Sequence, residues 1–494
     1  MQASARRRAA TTLPARDPRR RGEALRASGD NQGALLAFMQ AARKTPQDAA
    51  IHATIASVLS DMGQHQGAIG AGLTAVTLAP ASARSQAELG RALFLAGQVE
   101  AALEPCARAV VLAPRNLPAT VTFGAVLFTL GRHEQALQVA QEAVSIDPLH
   151  FQSRGNLALA LEALGRLDEA EAHSRLALAM DPASPAARHN LAGLRLSRGK
   201  LDAESWRLYD ARLELTPEAR ALAAIPRWRG EDVANRTILL HAEQGFGDMI
   251  QFARYAPAVK ARGARVVLAV PGPLLRLMTG LPGTDVVVRA GGAIPAHDVF
   301  CPIASLPGIL GTTLQTIPAP IPYLTAATEA VMRFRPAPGF NVGLVWAGNP
   351  SFVHDRLRSV GPATFAVLER APGVTFHSLQ KADAPPFPMQ NRMAEVADFA
   401  DTAGLIAGMD LVIAVDTAVA HLAGAMGKPV WMLSRFMGCW RWLRDRDDSP
   451  WYPTMRIFRQ HRSGDWDGVL QQVRDALDTQ ANSVRGREPL SHAE

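Results

Sequence analysis

The sequence predicts an α-helical repeat region followed by an α/β region that consists of two halves. Three observations lead to this prediction. Residues up to about 215 repeat with a period of 34. After residue 225 the period is lost, and short apolar runs alternate with helical stretches. A proline-rich stretch at 318–338 then divides this second region, as an interdomain linker would.

Length and charge bear on the number of domains and on the kind of partner. A chain of 494 residues is long enough for two to four domains. Its net charge of +7 is concentrated at the N-terminus, because residues 1–26 hold eight arginines against Asp17 and Glu23. We interpret residues 1–14 as a basic disordered tail. The remainder is nearly neutral, so we expect no nucleic-acid partner.

Apolar runs and cysteines bear on localisation and cofactors. No apolar run reaches the roughly 18 residues of a membrane span, and the N-terminal tail lacks the apolar stretch of a secretory signal. Cys106, Cys301 and Cys439 lie far apart, unlike the cysteines of a disulfide framework or a zinc site. We therefore expect a cytoplasmic protein without an integral membrane segment and without a metal.

Glycine, proline and alanine mark the repeats. The glycines are Gly29, Gly63, Gly97, Gly131, Gly165 and Gly199, and the prolines are Pro46, Pro80, Pro114, Pro148 and Pro182. Two alanines per repeat, as at Ala34 and Ala41, lie seven residues apart and so share one helix face. Glycine between two helices and proline after the second predict five to six helix–turn–helix units over 15–215.

Buried-strand candidates alternate with helical segments in the second region. The first half, 225–325, has candidates at 237–240, 266–270, 285–289 and 298–300. The second half, 340–480, has candidates at 342–346, 374–379, 411–415 and 429–433. This alternation predicts two Rossmann-like halves with a ligand site in the cleft between them. Residues 481–494 are interpreted as a tail.

A glycine-rich polar motif follows the first strand of the first half. It reads His241-Ala-Glu243-Gln244-Gly245-Phe-Gly247-Asp248. Glycines allow a tight turn at the carboxyl end of a strand, which is where doubly wound sheets bind ligands. Asp248 could act there as a base, or could only cap the following helix. Glu243 is an alternative base in the same loop.

Two motifs in the second half could bind phosphate. In Val415-Asp416-Thr417-Ala-Val-Ala-His421, Asp or Thr can cap a helix whose free N–H groups also attract anions. His421 shares a helix face with Thr417 and could equally be a structural residue. Arg358, in the loop after Trp346, could bind phosphate oxygens by forked hydrogen bonds or could lie in a solvated loop.

The repeats resemble tetratricopeptide repeats. The two halves, with EQGFGD in the first and DTAVAHLAGAMGKP in the second, resemble the family 9 glycosyltransferases, the ADP-heptose:lipopolysaccharide heptosyltransferases. The resemblance covers residues 15–480 and implies a bacterial protein with a GT-B pair of Rossmann-like domains. It also implies that Asp248 is the acceptor-side carboxylate and that Asp416, Thr417 and His421 bind the donor diphosphate. Ala418 replaces the family's glycine, and Arg358 takes the place of a lysine.

The implied function is transfer of a sugar from a nucleotide-diphosphate sugar to a glycan or protein acceptor that the repeats recruit. Asp248 would deprotonate the acceptor hydroxyl, beside the acceptor loop of Gln244, Gly245 and Gly247. Arg358 and the helix start at Asp416–His421 would neutralise the diphosphate without a metal cofactor. The alternative is a non-catalytic scaffold with a degenerate glycosyltransferase-like domain.

Overall fold

The computed structural model describes most of the chain as two compact units, Met1–Pro182 and Ala183–Glu494. The described residues are 17–215, 225–318, 320–352, 355–369, 371, 373–381 and 384–485, without the side chains of 481–485. The expected N-terminal tail at 1–14 lies outside the described residues. So does the transition at 216–224, where the repeats were expected to give way to the α/β region.

The first unit consists of helix pairs in its described part. Its helices are α1 (Pro18–Ala27), α2 (Asn31–Lys44), α3 (Ala49–Asp61), α4 (His65–Leu78), α5 (Ala83–Leu95), α6 (Val99–Leu112), α7 (Leu117–Thr129), α8 (His133–Ile146), α9 (Phe151–Ala163) and α10 (Leu167–Met180). A capping side chain recurs with the period of the repeats. Asp48, Ser82, Asn116 and His150 each accept a first-turn backbone N–H. The predicted helical solenoid of repeats is confirmed.

The periodic glycines form the turn inside each pair. Gly63, Gly97 and Gly131 have φ values of 72°, 77° and 75°, in the left-handed region that other residues rarely adopt. The next residue donates back to the helix, as from Gln64 N to Leu59 O at 2.9 Å. This bond satisfies a carbonyl group that the helix end leaves free.

Small side chains let neighbouring helices of the first unit approach closely. The periodic alanines Ala34, Ala68 and Ala102 are fully buried. A β-carbon at Gly90 would overlap with the Sγ atom of Cys106. Packing therefore explains both the small residues and this buried cysteine.

The second unit begins with a short helical segment. Its helices are α11 (Pro185–Ser197), α12 (Ala203–Tyr209) and α13 (Arg212–Leu215). The sequence analysis grouped this segment with the repeats, as part of 15–215. By contacts it belongs with the sheets: Trp206 donates to Thr312 O at 2.8 Å, and a β-carbon at Gly308 would meet Trp206.

The first sheet of this unit is parallel. It comprises β1 (Thr237–His241), β2 (Arg265–Val270), β3 (Val286–Arg289) and β4 (Val299–Pro302), in the order β3-β2-β1-β4. The connecting helices are α14 (Phe246–Ala253), α15 (Ala256–Lys260), α16 (Leu275–Met278) and α17 (Leu306–Ile309). Leu239, Val267 and Phe300 form its core.

The second sheet is also parallel. Its strands are β5 (Phe340–Val345), β6 (Val374–Ser378), β7 (Gln390–Asn391), β8 (Leu411–Val415), β9 (Val430–Ser434) and β10 (Met455–Arg459), in the order β10-β9-β8-β5-β6-β7. The helices are α18 (Thr328–Arg333), α19 (Asp355–Arg358), α20 (Pro362–Phe365), α21 (Phe399–Ala407), α22 (Ala418–Ala425) and α23 (Trp466–Arg485). The parallel sheets agree with the predicted α/β architecture.

Two segments differ in character from the expected linker and tail. The proline-rich stretch 318–338 contains α18, and Ala330 of this helix packs against Gly404 of α21. Helix α23 includes the first five residues of the segment 481–494 that was expected to be a tail, and 486–494 lie outside the described residues.

Candidate functional site

The strand order places the predicted motifs at the edges where parallel sheets bind ligands. In the first sheet the order in which the strands are added reverses between β1 and β4, and in the second sheet it reverses between β5 and β8. Ligands of such sheets bind beyond the carboxyl ends of the strands at this switch point. The 243–248 loop follows β1, and the 416–421 segment follows β8. Both motifs therefore lie at switch points.

The two strand exits meet through their helices. Helices α14 and α22 are in contact. A β-carbon at Gly247 would lie 2.7 Å from Cδ2 of His421, so only glycine leaves room for the imidazole ring. Further bonds join the two sheets, including one from Arg254 to Trp451 O at 2.7 Å. The structure thus brings the predicted acceptor loop and the predicted donor helix together.

Asp248 lies in the first turn of α14. Its Oδ2 atom accepts the backbone N–H of Gly245 at 2.9 Å, which is the return bond of a capping box. Its Oδ1 atom pairs with Arg441, and 19% of the side chain is exposed. Asp248 therefore stabilises the helix start and also faces a buried cation.

Arg441 was not predicted from the sequence. It lies in the short helical turn Trp440–Trp442, where it donates to Gln251 Oε1 at 2.8 Å and stacks 4.5 Å above the ring of Trp440. Burial acts to lower the pKa of Arg441, but the negative charge of Asp248 outweighs it and raises that pKa well above the usual value. The cluster of aromatic residues around Trp440 is visible in the sequence, but it does not identify Arg441 as the partner of Asp248.

Glu243 has a different environment. Both carboxylate oxygens accept from Arg212, at 2.7 and 2.9 Å, and the Ala304 N–H donates to Oε1 at 3.1 Å. The neighbouring Gln244 has a φ of 60° and donates to the hydroxyl of Tyr209 at 3.1 Å. The loop after β1 is thereby fixed to α12 and α13, and Glu243 has little capacity left for a substrate.

Arg358 lies at the second switch point. Its Nε donates to Asp355 at 2.8 Å, and its Nη1 donates to the backbone carbonyl of Asp416 at 2.9 Å. The guanidinium crosses Gly348, where any β-carbon would overlap with it. The loop after β5 and the exit of β8, which are far apart in sequence, are joined by this arginine.

Several donors at this edge have no acceptor. Thr417 precedes α22, but its buried Oγ1 atom has no hydrogen-bond partner within the described residues. The first N–H groups of a helix likewise have no intrahelical acceptor.

Arg435 is a second group that the sequence analysis missed. It directly follows β9, and within the described part of the chain its side chain makes no hydrogen bond or ion pair. Burial lowers the pKa of Arg435, Asp416 opposes this effect, and Arg358 adds to it. An arginine remains charged under such conditions, so Arg435 offers several N–H donors beside Asp416 and Thr417.

His421 is buried, with 5% of its surface exposed. Its Nδ1 atom is 2.9 Å from the hydroxyl of Tyr452, and its ring lies 5.0 Å from that of Trp442. Burial lowers its pKa well below the usual value, and Arg441, Arg254 and Arg358 act in the same direction. His421 is therefore neutral at pH 7, and any contact it makes with a diphosphate is a hydrogen bond from an uncharged imidazole.

The described residues provide neither a cluster of metal ligands nor a membrane-spanning helix. Within the described residues, no group of three or more histidine, cysteine or acidic side chains is arranged to hold a metal ion. Of the helices that the structure describes, none is long and apolar enough to cross a bilayer.

Comparisons with known families match both regions of the chain. Residues 19–83, 53–116 and 122–185 match a tetratricopeptide repeat model. Residues 390–433 match glycosyltransferase family 9 (heptosyltransferase). The second match contains Asp416, Thr417 and His421, whereas Asp248 lies outside it. The chain thus combines tetratricopeptide repeats with a C-terminal region similar to glycosyltransferase family 9.

Individual proteins also match parts of the chain. The chain is 30% identical over 320 residues to Protein FlbA of Caulobacter vibrioides, covering 56% of this chain and 52% of that protein. It therefore spans about half the length of this curated relative. A thermophilic tetratricopeptide-repeat protein from Thermus thermophilus is 27% identical, with a TM-score of 0.32, over 36% of this chain and 97% of that one. MamA is also 27% identical, with a TM-score of 0.29, over 33% and 94% of the two chains.

Proposed function

We propose that the second unit is a glycosyltransferase of the GT-B type. It transfers a sugar from a nucleotide-diphosphate sugar to a glycan or protein acceptor that the repeats recruit. The observation that carries this proposal is a group of polar donors at the exits of β8 and β9: the buried Thr417 hydroxyl, which has no partner among the described residues, the start of α22, and Arg435 beside Asp416. They lie in or directly beside the segment that matches glycosyltransferase family 9.

The donor site accounts for the chemistry of the leaving group. Sugar transfer leaves a nucleoside diphosphate, on which negative charge increases in the transition state. Fixed N–H donors aimed at that charge stabilise it without further reorganisation. Arg435 would bind the diphosphate, together with the unoccupied N–H groups of Arg358 and the helix start. The proposal assigns this role to protein groups and not to a metal ion.

The carboxylate of Asp416 lies within the same site. Its Oδ1 atom is 4.0 Å from Nε2 of the neutral His421. A carboxylate repels phosphate, so we assign it to hydroxyl groups of the donor, for which carboxylate oxygens are good acceptors.

Asp248 is the proposed base. In the absence of substrate it pairs with Arg441, so one of its carboxylate oxygens is already occupied. Proton transfer from the acceptor hydroxyl therefore requires the acceptor to share or displace this pairing. Glu243 is the less suitable base because Arg212 and Ala304 occupy its oxygens.

Nucleotide binding tests the donor site. UDP, GDP, ADP and dTDP are compared by thermal shift, since a ligand at a hundred times its Kd stabilises by about 2.7 kcal/mol. Arg435→Gln and Arg358→Gln should each weaken binding of the active nucleotide roughly 10- to 100-fold, because a charged hydrogen bond contributes about 1.5–3 kcal/mol.

The matched control is Arg265→Gln, at the amino end of β2, where the side chain is exposed. It should bind like the unmodified protein. Absence of any nucleotide effect, or undiminished binding in both site variants, would refute the donor assignment.

A second function, the non-catalytic scaffold, is favoured by one observation. Both carboxylates after β1 are paired with buried arginines, as expected if they only stabilise the loop. A scaffold of this kind binds no nucleoside diphosphate. The same thermal-shift series therefore separates the two functions.

A further inference from the structure

A separate cavity lies between α12 and the segment that follows β4. Its volume is about 210 Å³, and its wall includes Trp206, Arg207, Asp210, Arg227, Arg229 and Ser305. Whole small-molecule ligands occupy pockets of roughly 300–1,000 Å³, so this cavity fits one functional group and its immediate carrier.

The lining is rich in cationic groups. Three arginines face a single acidic residue, Asp210. That carboxylate is already occupied, because Arg212 and Arg227 donate to it at 2.9 and 2.6 Å and Ser305 donates at 2.8 Å. Burial acts to raise the pKa of Asp210, but these neighbours, Arg212 first, bring it below its usual value. Asp210 is therefore charged at neutral pH, and it does not neutralise all three arginines.

The arginines retain donors for a ligand. Among the described residues, the side chain of Arg207 makes no hydrogen bond and no ion pair. The backbone N–H of Arg229 donates to Glu231 at 2.7 Å, and this carboxylate also interacts electrostatically with the Arg229 side chain, which makes no hydrogen bond to a described residue. The Nε–H of Arg227 is buried and has no acceptor within the same part of the chain. Its Nη2 atom donates to Asp210 and to Ser305, at 2.6 and 3.0 Å. A buried N–H without an acceptor is uncommon and indicates that an acceptor from outside the chain belongs there.

We propose that this cavity binds an oxyanion, the phosphate or carboxylate group of a ligand. Planar guanidinium groups match the oxygen spacing of both anions. The indole of Trp206 provides an apolar wall for the carbon skeleton next to the anion. The cavity is distinct from the proposed donor site, which lies at the exits of β5, β8 and β9.

The cavity connects to the acceptor side of the molecule. Ser305 follows β4, whose exit flanks the first switch point. Asp210 also binds Arg212, which in turn holds Glu243 in the predicted acceptor loop. Assignment of the oxyanion to a molecule rests on the proposed glycosyltransferase function. Under that function, the oxyanion is a group of the sugar acceptor.

Titration calorimetry with inorganic phosphate and with acetate tests the cavity in the full chain. The unmodified protein should bind at least one of the two anions, and the one bound more tightly identifies the group. The double variant Arg207→Gln/Arg229→Gln should bind it at least tenfold more weakly. Both side chains are exposed, so this variant preserves the fold.

Arg227→Gln is a second test and should also bind more weakly, with its melting temperature measured in parallel. Arg265→Gln is the control and should bind normally. Binding that is equal in all four proteins, or absent in all of them, overturns the proposal.

Nucleotide binding, measured with phosphate at saturation, separates this proposal from the proposed function. Arginine-dependent phosphate binding without any nucleotide binding would support the oxyanion site and refute the proposed transferase function. Nucleotide binding without arginine-dependent anion binding would support the transferase function and refute the oxyanion site. In a transfer assay the double variant should raise the KM for the acceptor and leave the KM for the donor unchanged. An unchanged acceptor KM would remove the assignment to the acceptor.

Discussion

The two strand exits that meet in the second unit differ in how their polar groups are satisfied. After β1, the carboxylates of Glu243 and Asp248 are paired with Arg212 and Arg441. After β8 and β9, Thr417 and Arg435 have no hydrogen-bond partner among the described residues. The carboxylates after β1 are paired, whereas the segments after β8 and β9 have free donors.

This difference indicates what each edge can do without its ligand. A buried donor without an acceptor destabilises the free protein, and a ligand oxygen would remove that cost. An edge whose charges are already paired gains less from a ligand, because each new bond replaces an existing one. The second edge is therefore suited to binding, and the first to a group that would change partner during the proposed reaction.

The largest expected effect concerns the first edge. Asp248→Asn should lower single-turnover transfer by about 10²- to 10⁴-fold, the usual contribution of a general base. Nucleotide affinity should change little, because the hydrogen bonds of Asp248 go to Gly245 and Arg441 and not to the proposed donor-binding groups. The measurement uses whichever donor the nucleotide series identifies. Full activity of Asp248→Asn would show that both carboxylates of this edge are structural.

Glu243→Gln separates the two carboxylates by activity. Removing one charge from a buried pair typically costs about 3–5 kcal/mol, and Arg212 would lose its bidentate partner. Urea unfolding should therefore show a loss for Glu243→Gln and a comparable loss for Asp248→Asn, which breaks the buried pair with Arg441, whereas only Asp248→Asn should lose the transfer rate. If Glu243→Gln is stable but inactive, the base is Glu243 and the comparison of the two edges changes.

The arginines of the first edge also predict a pH dependence. Burial, with Arg212 and Arg441, lowers the pKa of His189 to about 4. The unfolded chain then binds a proton that the folded chain excludes, so stability is complete above about pH 6.5 and falls toward pH 4. The loss from His189 is on the order of 3 kcal/mol.

His189→Phe tests this dependence, since an aromatic ring is retained against Tyr209. Unfolding free energies measured between pH 7 and 4 should fall less steeply for this variant than for the unmodified protein. The exposed His461→Asn serves as the control and should leave the slope unchanged. Equal slopes in all three proteins would contradict the electrostatic description of this edge.

The smallest expected effect concerns the contact between the edges. Gly247→Ala places a methyl group 2.7 Å from the His421 ring, and overpacking of this kind costs about 1–3 kcal/mol. The thermal midpoint should fall accordingly. Gly193→Ala is the control, because a β-carbon there meets nothing within 4 Å and the position is helical. An unchanged thermal midpoint in Gly247→Ala would mean that α14 and α22 move apart easily enough to accommodate the methyl group.

Much of the fold could be predicted from local pattern. The glycine and proline period locates the helix pairs, and the strand candidates at 237–240, 266–270 and 411–415 lie within one residue of β1, β2 and β8. Buried parallel strands are continuous apolar runs, so they are visible in sequence. Strands β7 and β10 were missed: β7 has two exposed residues, and β10 alternates with charged ones.

The pairing of charges could not be predicted in the same way. Asp248 and Arg441 are 193 residues apart, and Arg212 and Glu243 belong to segments with different periodicity. Arg435 has no motif around it, and only the position of β9 next to β8 brings it to Asp416. The sequence identified the loops from their glycines, whereas their charge balance depends on tertiary contacts.

The turn glycines of the first unit have a consequence for how the chain can change in length. Each helix pair begins at the same kind of cap and contains the same left-handed turn between its two helices, so all positions depend on a spacing of 34 residues. An insertion within a helix would move a bulky residue into the turn. Gain or loss of one complete repeat preserves every turn and every interface between neighbours. Variation in the length of this unit should therefore occur in whole repeats, and genes that encode shorter or longer versions should differ by multiples of about 102 nucleotides.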